Sequence, residues 1–349
     1  METEPIQLGF LYHAKKQHHL YQHMLEQFSR YSKQYRLKTV LFSIDGINLD
    51  YQCICGTILD GNTIREGLCD IPPLIYNFAL FSRKENIRKM RTLRKMENIT
   101  VINPVNRFDQ GIIFEMLTAL EGSHQFLLPS EALDPTILTE WLQANDTLYL
   151  LPEKTYVSPK AAVIKKTKKN NFIICIGNFE QVCESKDIQT YILKMVNNKN
   201  FRLMKGIPCM KKEKTPLEIR MYLQKGAEGT WTNPLMVVKK GIFSQQEMIS
   251  TSLKNVQNMT NHQVESLTNL TLKIAEYFDF YIPLLGSCTL DFLLEEKGFP
   301  YLIYVAGFDQ ELSTFNQLEN GEQSNLLDHA FFYLLYLRDQ SVKEKGLTT

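Results

Sequence analysis

The sequence predicts an α/β or α+β protein of two or three domains, and three observations lead there. Its 349 residues exceed one ordinary domain. The first third alternates strand-period and helix-period apolar patterns, the order that builds a parallel layer. From residue 148 the texture changes to short apolar strands separated by turns. The composition, 44% hydrophobic and 22% charged, is that of a globular chain, and a net charge of +1 gives no general attraction to nucleic acid or anionic membrane.

Taken in order, Ile6–Tyr12 reads as a strand. A helix follows over His18–Tyr35, with Leu20, Met24, Phe28 and Tyr31 on one stripe. Leu37–Ile44 is a second strand, closed by Asp45-Gly46, and Tyr51–Leu59 a third. Leu74–Phe78 follows Pro72-Pro73. Ser82 is the expected cap of a helix over Arg83–Met96, with Glu85 three residues on. Val101-Ile102 is a short strand. Helices are expected over Phe114–Leu120 and Pro135–Ala144, with Phe126–Leu128 between them. Strands follow at Leu148–Leu151, Ala161–Ile164 and Phe172–Ile176, the last two joined by a hairpin at Lys165–Asn171. Next come a helix at Lys186–Val196 and strands at Arg220–Gln224 and Leu235–Lys239 around Lys225-Gly226. Asn261–Phe278 is a long amphipathic helix. Thr289–Glu295 and Tyr301–Val305 form a hairpin around Lys297-Gly298. Residues 311–349 read as polar, then helical, then a frayed tail, with the apolar helix at Leu326–Leu337.

Several constellations invite a function and are weaker than they look. The seven cysteines are scattered and contain no CxxC, so structural thiols in a reducing cytoplasm are expected. His13, His18, His19 and His23 lack the carboxylate or cysteine that would complete a metal set. The Arg83–Lys95 helix carries seven basic residues and one acid. With Ile87, Met90 and Leu93 on its buried stripe, the basic residues face water, and no aromatic interleaving favours nucleic acid. Lys165–Lys169 reads as a charged hairpin tip. There is no GxSxG elbow, no GxxxxGK[ST] loop and no GxGxxG after a strand. METEPIQLGFLYHAKK does not resemble a signal peptide, and no window is apolar enough to span a membrane.

Several ordered segments nevertheless resemble the YheC/YheD-type ATP-grasp family, which is associated with the endospore coat. Leu8-Gly9-Phe10-Leu11 resembles its first strand. Thr39-Val40-Leu41-Phe42 and Gly56 follow, then Pro73-Leu74-Ile75-Tyr76-Asn77 and Asn103. Phe126-Leu127-Leu128-Pro129, Pro216-Leu217-Glu218-Ile219-Arg220, Gln224 and Trp231 continue the series. Leu290-Asp291 and Tyr301-Leu302-Ile303 resemble the closing hairpin. The resemblance covers roughly residues 8–310. It implies an α+β, ATP-grasp-like fold: an N-terminal α/β domain over 1–104, two α+β subdomains over 105–205 and 206–310 flanking a cleft, and a C-terminal helix and tail over 311–349.

The departures from the family pattern bear on function. Leu151 stands where the family has the lysine that neutralises phosphate charge. The following loop, Glu153–Lys160, has no glycine to bring backbone N–H groups to the phosphates. Lys154 and Lys160 are the cations left there. Met204 lies near the position of a glutamine beside the adenine. Of the three Mg²⁺ ligands, Asp291 remains, while Tyr304 and Ala306 occupy the Glu and Asn positions. The resemblance therefore implies an ATP-grasp-like protein without turnover, structural or interacting, in the mother-cell cytoplasm or spore coat. Its partners would be other proteins, such as coat components, and no cofactor is expected. Two alternatives stand beside it. One is a divergent carboxylate–amine ligase using ATP and Mg²⁺. Arg220 would contact phosphate there, Asp291 would hold the metal, and Glu218, Glu295 or Asp309 would be substitute ligands. The other is a nucleotide sensor holding phosphate through Arg220 with Lys154 or Lys160.

Overall fold

A computed structural model describes residues 7–14, 17–81, 83–154, 161–177, 179–197, 199–209, 211–212, 215–240, 248–250, 260–308 and 318–347. Three six-stranded sheets organise them. The first is built from β1 (Gln7–Tyr12), β2 (Lys38–Asn48), β3 (Cys53–Asp60), β4 (Thr63–Asp70), β5 (Leu74–Asn77) and β6 (Thr100–Ile102), with α1 (His18–Tyr35) and α2 (Lys84–Leu93) between strands. Its order is β4-β3-β2-β1-β5-β6. β1 runs parallel to β2 and β5, and β5 parallel to β6, as the strand–helix alternation requires.

One expectation fails in this sheet and one strand was not foreseen. Asp45-Gly46 does not end β2; the strand continues through an irregularity between Phe42 and Ile47. Gly46 lets the Cys55 carbonyl come where a side chain would stand, so the glycine marks a bulge rather than a turn. β4 left no apolar signature because it is an edge strand whose Ile64 and Leu68 are exposed. At α2 the cap position is Arg83, without a side-chain cap bond. Ser82 lies outside the described residues.

The second sheet is antiparallel, in the order β11-β10-β9-β8-β12-β7. Its strands are β7 (Ser130–Ala132), β8 (Thr147–Pro152), β9 (Ala162–Lys166), β10 (Phe172–Ile176), β11 (Phe179–Cys183) and β12 (Phe201–Lys205). α3 (Gln110–Thr118) precedes it, and α4 (Pro135–Ala144) and α5 (Ile188–Val196) cover it. Asp109 and Asp134 cap α3 and α4 by accepting backbone N–H groups of the first turn. β12 escaped the sequence reading, yet it places Met204 opposite Tyr149.

The third sheet runs β16-β15-β14-β17-β18, with β13 paired to β14. The strands are β13 (Lys211–Lys212), β14 (Thr215–Lys225), β15 (Trp231–Lys240), β16 (Met248–Ser250), β17 (Ser287–Leu294) and β18 (Pro300–Ala306). α6 (Asn261–Tyr281) starts at a Thr260/Gln263 capping box and buries Leu267, Ile274 and Phe278 against the sheet.

The C-terminal helix α7 (Asn320–Leu347) corrects the frayed-tail expectation, since helix continues to Leu347. Its apolar run is an internal element. Leu326, Leu327, Ala330, Phe331 and Leu334 are fully buried in one core with α1, β1 and the β14–β15 hairpin. Phe331 stacks on Phe10 at 5.9 Å.

Three buried asparagines tie the first sheet to the third. Asn77 Nδ2 donates to the Asn103 carbonyl at 2.9 Å. Asn103 Oδ1 accepts from the N–H groups of Gly286 and Ser287 at 2.7 and 3.0 Å, and its Nδ2 donates to Ser287 Oγ at 2.8 Å. Asn106 Nδ2 donates to the carbonyls of Asn77 and Ala79, and its Oδ1 accepts from Phe308 N–H. Asn103 sits at φ +53°, a left-handed conformation that asparagine tolerates better than most residues. Gly307 is required here, because a Cβ would stand 2.6 Å from Asn106 Cα.

Candidate functional site

β14 alternates. Leu217, Ile219, Met221 and Leu223 join the core under α6, which leaves Glu218, Arg220, Tyr222 and Gln224 on the opposite face. Pairing then sets their neighbours. Glu218 lies opposite Lys239 on β15 and Leu293 on β17, and Arg220 opposite Asp291. The result is a buried quartet of two acids and two bases. Arg220 grips Asp291 with a two-bonded fork, Nε to Oδ1 and Nη2 to Oδ2, both at 2.7 Å. Lys239 Nζ reaches Asp291 Oδ2 at 3.4 Å and pairs with Glu218 Oε1. Each of the four side chains is at most 4% exposed.

The two acids respond to this burial in opposite directions. Burial pushes Asp291 up, but Arg220 and then Lys239 more than offset it and hold the carboxyl down at about 2. Glu218 is pushed up to about 7, because burial and the neighbouring Asp291 charge outweigh Lys239. At neutral pH Asp291 is a carboxylate with both oxygens engaged by cations.

Beside the quartet the surface becomes hydrocarbon. Leu293, the strand partner of Glu218, belongs to an apolar cluster that bridges the second and third sheets. Tyr149 and Leu151 from β8, Met204 from β12, Cys209, and Leu293 and Ile303 from β17 and β18 compose it, with Tyr304 packed against them. Met204 is fully buried and Leu151 nearly so. The Tyr149 hydroxyl lies 3.2 Å from Cys209 Sγ and from the Ile207 carbonyl, and burial pushes its pKa well up. Tyr304 stands opposite Asp291, and Ala306 opposite Thr289.

The structure thus brings Arg220 and Asp291 together and places Leu151, Met204 and Tyr304 in one apolar cluster. Lys154 is exposed; Lys160 and Asp309 lie outside the described residues. Glu153 is buried and within 3.7 Å of Arg202, a half-buried cation that the sequence reading did not single out. Lys239 was missed as well. The signal for it is a lysine directly after the apolar run Leu235-Met236-Val237-Val238, within the same predicted strand. Two bases and an apolar cluster therefore flank Asp291.

The family assignment rests on comparison with known proteins. The model of the YheC/D-like ATP-grasp family matches residues 98–337. The chain belongs to that family. By shape it is similar to the D-alanine–D-alanine ligase of Coxiella burnetii, at 8% identity and TM-score 0.55, over 99% of this chain and 98% of that one. The Bacillus anthracis D-alanine–D-alanine ligase matches at 11% identity and TM-score 0.55, over 96% and 99%. The ATP-grasp ligase PsnB, solved with a minimal precursor, matches at 10% identity and TM-score 0.52, over 93% and 99%. At these identities the likeness concerns the ATP-grasp fold. No curated protein matches the chain by sequence.

ATP-grasp relatives imply Mg²⁺ and ATP, and the described residues of this member do not fit them. Mg²⁺ needs several hard oxygens in octahedral geometry. Asp291 offers its oxygens to a guanidinium and an ammonium, Tyr304 offers a phenol and Ala306 a methyl. Among the described residues no group of three His, Cys, Asp or Glu side chains is placed to hold a metal. On the opposing sheet Leu151 and Met204 present hydrocarbon.

Proposed function

We propose that this YheC/D-like ATP-grasp protein has given up ATP-dependent ligation and serves as a structural or interaction protein. The observation that carries the reading is the buried Arg220–Asp291 fork with Lys239 on its flank. A metal at Asp291 would have to displace both cations, and stripping one partner from a buried ion pair costs about 3–5 kcal/mol. The apolar cluster around Leu151 and Met204 supports the same reading from the second sheet. Phosphoryl transfer depends on positioning and on metal charge, and both supports are replaced here. The resemblance to the endospore-associated family makes spore-coat assembly, with other coat proteins as partners and the cytoplasm or coat as the location, the proposed setting. Among the described residues no helix is long and apolar enough to cross a membrane.

Thermal unfolding with and without millimolar ATP and Mg²⁺ tests the loss of nucleotide use. A ligand bound only by the folded state would add about 2.7 kcal/mol at a hundredfold excess over its Kd. The expected result is no shift. A shift that requires Mg²⁺ would restore the carboxylate–amine ligase reading. A shift with ATP alone would establish a sensor.

A further inference from the structure

We propose that the exposed face of α2 is a docking site for an acidic polypeptide segment. Lys84, Arg88, Arg91 and Lys95 recur at steps of four, three and four residues, which places them along one side of the helix. The last stands just past Leu93, where the Lys95 N–H to Thr92 carbonyl bond continues the turn. All four are exposed, as are Arg83 and Arg94 beside them. Among the described residues none of these six cations forms an ion pair, and Glu85 is the only acid of the segment.

Helix stability does not account for this arrangement. Like charges four residues apart repel, and cations in the first turn oppose the helix dipole. Arg91, Arg94 and Lys95 suit the C-terminal end, but Arg83 and Lys84 stand at the wrong one. Fold packing does not use the cations either, because Met90 and Leu93 carry the burial and only Lys89, off the stripe, reaches inward, to the Ile47 carbonyl. The chain as a whole is nearly neutral, so the patch is a local concentration and not part of a general basic surface.

Charge complementarity selects the occupant. The four-residue stripe spans about 16 Å at the helical rise. An extended peptide covers that length in about five residues, so a short run of Asp and Glu matches the spacing. Single-stranded nucleic acid fits less well, because the exposed face carries no aromatic side chain for base stacking. A membrane surface fits less well, because Met90 and Leu93 are turned into the core and leave no apolar side to insert.

The test is fluorescence anisotropy of a labelled octaglutamate peptide against the full chain at low and high salt. Binding is expected at low salt and should weaken steeply as salt rises. Lys84→Glu/Arg88→Glu/Arg91→Glu/Lys95→Glu should weaken it at least tenfold with an unchanged circular dichroism spectrum. Arg88→Lys/Arg91→Lys should retain it, and so should Lys165→Glu/Lys168→Glu in the β9–β10 hairpin. Absent binding, or equal loss in the hairpin variant, would overturn the proposal. Tighter binding of an oligothymidylate or of anionic phosphatidylserine vesicles would overturn it in favour of that partner class.

Discussion

The third sheet and the second sheet meet at the candidate site, and they fill its interior in different ways. The third sheet keeps its charges and cancels them internally: Glu218, Arg220, Lys239 and Asp291 satisfy one another out of water. The second sheet presents hydrocarbon, with Leu151 and Met204 packed beside Tyr149. The difference is that a buried charge cannot be dropped singly. Removing one member strands its partner, whereas an exchange to leucine or methionine adds apolar burial at once. An ion-pair network is therefore harder to alter one residue at a time than an apolar cluster.

The largest effect should come from breaking the quartet. Asp291→Ala should destabilise by about 3–5 kcal/mol, because it leaves Arg220 buried beside Lys239 without the fork. Urea unfolding measures this, and a near-neutral result would show that solvent reaches the cluster. On the other sheet Leu151→Ala should cost about 2–5 kcal/mol through lost burial and a cavity. A cost below that range would mean that the cluster is loosely packed.

The quartet also predicts a pH signature that the apolar cluster lacks. Glu218 titrates near 7 when folded and in the ordinary carboxylate range when unfolded, so the folded state binds its proton more tightly. Its contribution is complete below the unfolded value and is lost as pH rises through about 7. Asp291 has the opposite sign. Its contribution is present above the ordinary Asp range and is lost as pH falls through about 2. Comparing wild type with Glu218→Gln from below the ordinary Glu range to above neutral pH isolates the first term, expected to be roughly 3 kcal/mol. Parallel stability curves for the two proteins would refute it. The smallest effect should be at Lys154, which is exposed: Lys154→Ala should change stability by less than about 0.5 kcal/mol. If that variant instead abolished an ATP-dependent shift, the sensor reading would gain its phosphate contact.

Much of this fold was legible because periodicity is local. α1 and α4 begin and end where their apolar stripes and the residues Pro135 and Tyr35 predict. The closing hairpin of β17 and β18 was visible from its apolar runs around Lys297-Gly298. β4 and β11 were not, because edge strands expose their side chains and lose the alternation that announces a strand. Asp45-Gly46 misled because a glycine beside an aspartate signals a turn by itself, and only the approach of the Cys55 carbonyl makes it a bulge.

The sequence by itself determined the order of most elements and the ATP-grasp resemblance, and from that resemblance it raised the expectation that the family's lysine, glutamine and two metal ligands are missing. It named Arg220 and Asp291 and pointed them toward phosphate and metal. Only the tertiary structure decided that they face each other, since their partnership depends on strand register between residues 71 positions apart. The same holds for Lys239, which becomes a member of the site through pairing across β14 and β15. Side-chain chemistry is written in the sequence one residue at a time, whereas desolvation and charge compensation belong to neighbours that only folding supplies.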